Sequence, residues 1–340
     1  MSELDIEQTP ELIEWLRASG HIGRDETPAA RRLTGGVSNR TVLVQRVQGE
    51  AWVLKQALRK LRVTVDWFSD PSRSHREADG IRHFRHLAPA GSVPELLFED
   101  RASHVVAMRA VPCPHENFKT QLLAGRVDDD LIRQFAVLLA TVQSRATERR
   151  LEMASYFGDR SYFEALRLEP YYAYSALQVP AVASFLTHLV DATRARCFTL
   201  VHGDYSPKNV LVHRGQVVLL DYEVIHFGDG AFDIGFVMAH LLSKAHHLSA
   251  FRLQFARAAH LFWKTYQETV SPSVLRHDVS LFAVRHTLGC LLARAVGRSP
   301  LEYLSAAERT RQAETVTRLM ASVPETVPET IDQFMEQIPA

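Results

Sequence analysis

The stretch VHGDYSPKNVLV, residues 201–212, places charged and polar residues between two apolar runs. His202, Asp204 and Asn209 have the spacing His-x-Asp-x-x-x-x-Asn, and Asp221 follows at the end of the next apolar run. Phosphoryl transfer uses a carboxylate that orients a hydroxyl and accepts its proton, together with amide and carboxylate oxygens that bind Mg²⁺. Asp204 and Asn209 could instead make only turn hydrogen bonds, as these residue types often do. The presence of Asp221 at the end of the next apolar run, twelve residues after Asn209, favours the catalytic interpretation.

A lysine lies in the middle of the apolar stretch AWVLKQAL. Burial of Lys55 would cost free energy unless an acidic partner compensates its charge. Glu77, near the start of the next predicted helix, is the natural candidate. Since a single lysine in a strand usually points to solvent, the pairing of Lys55 with Glu77 is predicted only because the downstream motif is also present.

A glycine pair precedes these residues in LTGGVSNRTVLV. Backbone N–H groups near Gly35, Gly36 and Ser38 could bind phosphate oxygens, because glycine allows a ligand to approach the backbone closely. The stretch is neither G-x-G-x-x-G nor a Walker A sequence, and an ordinary hairpin turn would explain it equally well. A phosphate-binding loop is therefore predicted here only in combination with the other motifs.

The elements that would position these residues change in type along the chain. Thr9 and Pro10 predict the start of a first helix. Short runs rich in Val, Leu and Thr from about 31 to 57 predict three antiparallel strands. Ser74 is expected to cap a helix that extends to Leu87. The stretches VPELLFED and HVVAMRAVP predict two further strands.

The remainder of the chain has a mostly helical pattern. DDDLIRQFAVLLATVQSRA has acidic residues at its start and Arg145 near its end, as the helix dipole favours. Two apolar runs around HRGQ predict a hairpin within residues 198–221. Other helices are predicted near residues 180–196, 231–245, 248–268, 272–296 and 301–321. This order predicts an α+β protein of two lobes, an N-lobe at 1–112 and a C-lobe at 113–340, hinged near residues 110–114.

Composition argues against several classes of protein. Basic and acidic residues number 39 each, and the first 115 residues carry 16 basic and 15 acidic groups, so neither part has the positive excess of a nucleic-acid-binding protein. No apolar run approaches the ~18 residues that a membrane span needs, and the acidic, amphipathic N-terminus is unlike a signal peptide. Three widely separated cysteines, none in a C-x-x-C pair, indicate reduced thiols in a cytoplasmic protein.

The segment HGDYSPKNVLV, followed by LLDYEVIHFGDGAFDIG, resembles the aminoglycoside phosphotransferase and choline kinase family, which are small-molecule kinases with a protein-kinase-like fold. The resemblance implies that Asp204 is the catalytic base and that His202 braces the loop. It implies that Asn209 and Asp221 bind Mg²⁺. Asp233, in GAFDIG, would tie the following helix to the catalytic loop.

The same resemblance, which extends from about residue 31 to 300, implies a nucleotide site in the N-lobe. Lys55 would bind the α- and β-phosphates of ATP, Glu77 would anchor Lys55, and Met108 would contact the nucleotide. The implied architecture is a small antiparallel-sheet N-lobe with a mostly helical C-lobe. Asp-Tyr-Glu replaces the Asp-Phe-Gly of protein kinases, no Ala-Pro-Glu follows, and SPKN contains a Pro-Lys step. These departures argue against a protein substrate.

The leading hypothesis is an ATP- and Mg²⁺-dependent kinase of a small hydroxylated molecule, such as an aminoglycoside, a sugar-like metabolite or an amino alcohol. One alternative is a catalytically weak, kinase-like scaffold protein, which the intact motif residues disfavour. Another is a metal-dependent hydrolase built on residues 202–233, which would leave Lys55 and the glycine pair unexplained. No nucleic-acid or membrane partner is expected, and the oligomeric state is left open.

A few residues have both a functional and a structural interpretation. The aromatic stretch LEPYYAYSAL at 168–177 could line a substrate pocket or pack between the lobes. Glu223 could assist the metal or bind substrate, and Arg294 and Arg298 could reach an anionic or sugar group. The second part of the chain carries 23 basic and 24 acidic groups, which mildly disfavours a polycationic ligand.

Overall fold

The computed structural model describes residues 4–34, 36–62 and 66–339. The first part of the chain forms a five-stranded antiparallel sheet with the order β1-β2-β3-β5-β4, which contains the strands predicted from the sequence. Alternate apolar residues of the second and third strands are buried, as expected for strands with one face on a core. The strands are β1 (Ala29–Arg32), β2 (Asn39–Gln45), β3 (Ala51–Ala57), β4 (Leu96–Asp100) and β5 (Val105–Arg109).

Two helices belong to this part of the chain, α1 (Thr9–Ala18) and α2 (Arg73–Leu87). The apolar face of α1 packs on the sheet. The predicted cap of α2 at Ser74 is wrong, because the helix begins at Arg73 with Ser72 at the N-cap position, and the Ser74 hydroxyl has no hydrogen-bond partner among the described residues. Asp70 instead holds the chain as it enters the helix, since its Oδ1 accepts from the N–H and the hydroxyl of Ser72 at 2.9 and 2.8 Å.

Two small sheets lie in the second part of the chain. The predicted hairpin at HRGQ is present, and Arg214 and Gly215 at its turn have φ values of 50° and 74°. Positive φ at both central residues is what a tight two-residue hairpin turn needs. One sheet has the order β6-β8-β9, and in the other β7 pairs antiparallel with β10. Their strands are β6 (His115–Asn117), β7 (Thr199–Val201), β8 (Val210–His213), β9 (Gln216–Leu219) and β10 (His226–Gly228).

Helices make up most of the second part of the chain, as predicted. Residues 272–296, predicted as one helix, form two, because the chain turns at Asp278, where φ is 50°. A π-helical segment, Glu164–Ala173, follows α6, and short 3₁₀ turns occur at Pro180–Val182, Pro207–Asn209 and Ser249–Phe251. The helices are α3 (Phe118–Leu123), α4 (Asp129–Glu148), α5 (Arg150–Phe157), α6 (Ser161–Phe163), α7 (Tyr174–Gln178), α8 (Ala183–Ala195), α9 (Ala231–His247), α10 (Arg252–Thr269), α11 (Pro272–Leu275), α12 (Val279–Val296), α13 (Ala306–Ala321) and α14 (Val327–Gln337).

The hydrophobic core continues across the predicted lobe boundary. A small cluster packs α1 against the sheet, and a much larger one fills the helical part. The larger cluster also takes in Ile81 and Phe84 of α2 and Met108 of β5. The helix that carries Glu77 is therefore anchored in the same core as the second part of the chain.

Helix α12 is long and apolar enough, by length and composition, to cross a membrane, with a mean hydropathy of 1.4. The bent pair Ser161–Gln178 and Pro180–Ala195 passes the same test when taken together. The expectation that no segment reaches this length is therefore wrong for α12. Since 67% of α12 is buried and the helix packs along α9, its place in the core accounts for its apolar sequence.

Candidate active site

The HGD segment leaves the end of β7 through a sharp turn. Gly203 has a φ of 78°, and a Cβ there would lie 2.9 Å from a methyl carbon of Val224. Both the backbone conformation and the close approach therefore require glycine. The turn places His202 on the buried side and Asp204 at the edge of the site, with its side chain 14% exposed.

Two buried side chains brace this turn. Asp233, on α9, accepts hydrogen bonds from the backbone N–H groups of His202 and Gly203 at 2.7 and 2.9 Å. Burial raises the pKa of Asp233 to about 7, although the two N–H donors oppose the rise. The His202 ring accepts from the N–H of Asp204 through Nδ1 and donates through Nε2 to the carbonyl of Leu220, both at 3.2 Å. Burial lowers the pKa of His202 to about 4, so the ring is neutral and structural at pH 7.

Asp204 is held through one of its two carboxylate oxygens. Oδ2 accepts a hydrogen bond from Nδ2 of Asn209 at 2.8 Å and lies 3.1 Å from a guanidinium nitrogen of Arg167. The Oδ1 atom has no hydrogen-bond partner among the described residues, so it is available to a substrate. Arg167 is itself fixed by donating to the carbonyl of Gly203 at 2.7 Å.

The surroundings of Asp204 keep it ionised. Burial alone would raise its pKa, but the positive charges of Arg167, Lys208 and Arg294 lower the pKa to about 2. Asp204 is therefore a carboxylate throughout the physiological range. Its orientation and charge are set mainly by Arg167, a residue that the motif did not contain.

Lys55 bridges the two parts of the chain. The predicted ion pair with Glu77 is present, with Nζ 2.5 Å from Oε1 of Glu77, and Nζ also lies 2.6 Å from Oδ1 of Asp221. Burial disfavours the charged form, but Asp221 and Glu77 raise the pKa of Lys55 above its ordinary value. Burial raises the pKa of Asp221, and Lys55 more than reverses that effect, so the pKa of Asp221 is lowered.

The backbone at Asp221 adopts a conformation that is rare outside glycine. Its φ is 72°, in the left-handed region. Such a conformation costs free energy, of order 1–3 kcal/mol, and persists where the surroundings impose it. At Asp221 the ion pair to Lys55 holds the side chain, and the conformation directs the carboxylate toward the site instead of along β9.

Glu223 joins the site to the glycine-containing loop. Its Oε2 accepts from Nδ2 of Asn39 at 3.1 Å and from Nε of the buried Arg73 at 3.0 Å. Arg73 also donates to the backbone carbonyls of Ser38 and Leu58. Glu223 therefore fixes the start of β2 relative to Asp221, which is a structural role and accounts for its burial.

The remaining predicted nucleotide residues have mixed positions. Gly35 lies outside the described residues. A Cβ at Gly36 would meet nothing closer than the Asn39 carbonyl at 3.9 Å, so the protein itself leaves space at this glycine. Ser38 is buried beside the site, and its hydroxyl oxygen accepts a hydrogen bond from the side-chain amide of Asn39. Met108 is 4% exposed and packs in the larger core, and its contact with a nucleotide stays a prediction.

The structure thus brings together residues that are far apart in the sequence. Lys55, Glu77, Asp204, Asn209 and Asp221 surround one site. In the aromatic stretch at 168–177, Tyr171 and Tyr172 are buried in the core, whereas Leu177 at its end is exposed. Sequence reasoning missed Arg167 because no spacing rule connects it to Asp204, and its position in a helical pattern is typical of an exposed arginine.

The family model described as the phosphotransferase enzyme family matches residues 29–269. The match contains the HGD segment, Lys55, Glu77 and Asp221. The chain belongs to this family, and the predicted resemblance is confirmed.

Similar proteins agree with this assignment. Two proteins of rice (Oryza sativa subsp. japonica), methylthioribose kinases 1 and 2, are 25% and 24% identical over 220 and 219 residues, which is 56% of this chain. The chain spans about half the length of these relatives, 50% and 51%.

Solved structures share the fold at low identity. An amicoumacin kinase in complex with AMP-PNP and Ca²⁺ has a TM-score of 0.53 and 16% identity, covering 89% of this chain and 91% of its own. A choline/ethanolamine kinase family protein from Mesorhizobium loti has a TM-score of 0.52 and 14% identity, covering 96% and 99%. The predicted kinase-like fold is confirmed.

Proposed function

We propose that this chain transfers the γ-phosphoryl group of ATP, with Mg²⁺, to a hydroxyl of a small molecule. One observation supports the proposal most. In this member of the phosphotransferase family, the Lys55–Asp221 ion pair and the Asp204–Asn209 hydrogen bond lie at the same site. A phosphate-binding cation, two oxygen donors and a free carboxylate oxygen are the parts that phosphoryl transfer needs.

The residues present fit a magnesium ion. Asn209 uses Nδ2 for its contacts with Asp204, and its Oδ1 has no hydrogen-bond partner among the described residues. Asp221 engages Lys55 through Oδ1, and its side chain is 21% exposed. Carboxylate and amide oxygens are the ligands that Mg²⁺ prefers, so Asn209 and Asp221 would hold it. When bound, Mg²⁺ neutralises phosphate charge.

The N-lobe residues would hold the nucleotide. Lys55 would exchange part of its contact with Asp221 for the α- and β-phosphates of ATP, while Glu77 keeps its position. The free space at Gly36 and the backbone near Ser38 would receive phosphate oxygens. Two cations and the backbone N–H groups would then face the charge on the phosphates.

Asp204 would act on the acceptor. Its free Oδ1 would accept a hydrogen bond from the substrate hydroxyl and orient that oxygen for in-line attack on the γ-phosphorus. As the new O–P bond forms and the bond to the β-phosphate oxygen breaks, the hydroxyl proton would move to Asp204. A carboxylate with a pKa of about 2 is a weak base, so proton transfer would come late and orientation would contribute most.

The test is a phosphoryl-transfer assay on the full chain. The protein is incubated with Mg-ATP and a panel of hydroxylated sugars, amino alcohols, hydroxy acids and aminoglycosides, and ³¹P NMR detects new phosphate esters. Acceptor-dependent ester formation supports the proposal. Tight Mg-ATP binding with no ester from any class contradicts it and favours a scaffold, while ester hydrolysis without ATP favours a hydrolase. A cytoplasmic location stays a prediction from the cysteine pattern.

A further inference from the structure

A group of basic side chains, three of them buried, adjoins the catalytic loop through Arg294, whose charge acts on Asp204. We name Arg294, Lys244, His240 and Lys119 the basic cluster. Arg294 lies on α12, His240 and Lys244 lie one turn apart on α9, and Lys119 lies on α3. These elements converge through Tyr303, whose ring lies 5.3 Å from Nζ of Lys244 and 6.0 Å from Nζ of Lys119.

Arg294 connects the basic cluster to the catalytic loop. Its guanidinium carbon lies 4.8 Å from the ring centre of Tyr171 and 5.1 Å from that of Phe236. Arg167, the partner of Asp204, lies over the same two rings at 5.6 and 5.9 Å. The two guanidinium groups therefore flank one aromatic pair, and Arg294 is near enough to Asp204 to help lower the pKa of that carboxyl.

Arg294 is buried without a carboxylate partner. The residue is 8% exposed, and its Nη1 donates to the carbonyl and the hydroxyl of Ser299 at 2.9 and 3.2 Å. No carboxylate oxygen of the described residues lies within 4.0 Å of it, and its Nε has no partner there. The direct partners of this guanidinium are the neutral oxygens of Ser299, so among the described residues no carboxylate pairs with its positive charge.

Lys244 and His240 are also buried basic residues without a carboxylate partner among the described residues. Lys244 is fully buried, and its Nζ contacts only the carbonyl of His240, at 3.2 Å, among the described hydrogen-bond acceptors. Burial and then the charge of Lys119 lower the pKa of Lys244 to about 7. His240 is 6% exposed, and its Nε2 has no partner in the part of the chain described. The one described carboxylate in contact with the cluster is the exposed Glu302, which pairs with Lys119.

Burying cations without anions costs free energy that a folded protein normally avoids. A ligand with a negative group would remove that cost and satisfy the unpartnered donors through charge-assisted hydrogen bonds. We propose that the acceptor is a small hydroxylated anion, whose carboxylate or phosphate group binds Arg294, Lys244 and His240 while its hydroxyl reaches Asp204. This inference rests on the proposed phosphotransferase function and names its substrate class.

Matched pairs of probes test the proposal on the wild-type protein. D-Gluconate is compared with D-sorbitol for a carboxylate, and glycerol 2-phosphate with glycerol for a phosphate, by calorimetric titration with and without saturating Mg-AMP-PNP. A hydrogen bond to a charged group contributes about 1.5–3 kcal/mol, so the preferred anion should bind ~10–100-fold more tightly than its neutral partner. The pair that shows the preference identifies the negative group. Equal affinity within both pairs, a preference for the neutral members, or no binding by either anion would overturn the proposal.

Variants locate the binding group. Arg294→Met should abolish the preference for the anion, and Arg294→Lys should retain part of it. Lys244→Met should weaken it and serves as a second test should Arg294→Met not fold. Arg298→Met is the matched control, because Arg298 lies just after the end of α12 and is paired with Glu169. Its replacement removes one positive charge without changing the basic cluster. An anion preference that survives in folded Arg294→Met and Lys244→Met would overturn the assignment.

The nucleotide titration separates this inference from the proposed function. Failure of Mg-AMP-PNP to bind would count against the phosphotransferase itself. Normal nucleotide binding, phosphorylation of neutral or cationic acceptors and no anion preference would overturn only the substrate class.

Discussion

The two sides of Asp204 carry opposite charge. On the side of the β-sheet, Lys55 and Arg73 contact the three carboxyl groups of Glu77, Asp221 and Glu223, which is one more acidic than basic side chain. On the side of the helical core, the basic cluster has Glu302 as the one described carboxylate in contact with it. Asp204 lies between them and is held by Arg167.

This difference shows what each side lacks in the free protein. The side next to the β-sheet has carboxylate oxygens in excess, so the proposed divalent cation would complete it and the phosphates would bind through that cation and Lys55. The basic side has nitrogen donors in excess, so an anion completes it. Under the proposed function, the metal and the nucleotide would therefore bind on one side of Asp204 and the acceptor on the other.

The largest effect is expected at the residue between the two sides. Asp204→Asn keeps the size and one oxygen but removes the charge and the proton acceptor. General-base catalysis is typically worth ~10²–10⁴-fold, so kcat should fall by roughly that factor while Mg-ATP affinity changes little. The measurement is steady-state kinetics with calorimetry of nucleotide binding. Wild-type turnover in folded Asp204→Asn would show that Asp204 is a structural turn residue.

A second variant separates catalysis from stability. Asp204→Asn leaves the buried guanidinium of Arg167 without its carboxylate, and breaking a buried ion pair in this way typically costs about 3–5 kcal/mol. The double variant Asp204→Asn/Arg167→Met removes the stranded charge, so thermal stability should partly return while kcat stays low. Recovery of kcat together with stability would mean that the loss of activity came from unfolding.

Asp221→Ala should weaken the proposed Mg²⁺ site next to the β-sheet without affecting the basic cluster. It removes a proposed Mg²⁺ ligand and one of the two carboxylates that hold Lys55. Since loss of even a supporting residue at a metal site costs ~10–100-fold in metal affinity or activity, the Mg²⁺ concentration for half-maximal rate should rise by at least that factor. The anion preference of the basic side should persist. Asp191→Ala, which removes an exposed carboxylate, is the control, and an unchanged Mg²⁺ dependence of Asp221→Ala would contradict the assignment.

Lys55 and Glu77 should behave as one unit. In a double-mutant cycle of Lys55→Met and Glu77→Gln, measured on kcat/KM for ATP, the coupling should lie between about 0.5 and 3 kcal/mol. The exposed pair Lys60–Asp66, at 2.7 Å, is the matched control and should show a coupling near zero. Additive losses at Lys55 and Glu77 would show that the observed ion pair does not position Lys55 for the nucleotide.

Local patterns were sufficient to predict much of the acidic side. The spacing of His202, Asp204 and Asn209 is set by one loop, and the residue types report the chemistry directly. The pairing of Lys55 with Glu77 was predicted only together with the downstream motif, because a single lysine in a strand usually points to solvent, and the pair is present in the structure. The strands of the large sheet and the long helices followed from periodicity and turn residues. The short strands β6 and β10 and the π-helical segment were not predicted, the cap at Ser74 was wrong, and Asp278 divides one predicted helix.

The basic side could not be predicted in the same way. Arg167 lies on the π-helical segment, His240 and Lys244 lie on α9, and Arg294 lies on α12. Each sequence neighbourhood has the pattern of an ordinary amphipathic or buried helix. Their convergence depends on how α9, α12 and the π-helical segment pack, which no local spacing encodes. The sequence raised an anionic or sugar ligand for Arg294 and Arg298. The structure distinguishes the two residues, because Arg298 pairs with the carboxylate of Glu169 and Arg294 has no carboxylate partner among the described residues.

The smallest predicted effect concerns how the positive charge of Arg167 keeps Asp204 ionised. The pKa of Asp204 is about 2 in the folded protein, below its ordinary value of 3.8, so the ionised form contributes stability that is fully present above about pH 4. That contribution is lost as the pH falls from about 4 to 2, and a shift of this size corresponds to about 2 kcal/mol.

Arg167→Met removes the main positive charge and leaves burial to raise the pKa of Asp204. The difference in free energy of unfolding between wild type and Arg167→Met, measured by urea denaturation, should therefore shrink as the pH falls from about 6 to 3. Arg257→Met, which removes an exposed arginine paired with Asp129, should show no such change, and a difference for Arg167→Met that stays constant with pH would mean that Arg167 does not control the ionisation of Asp204.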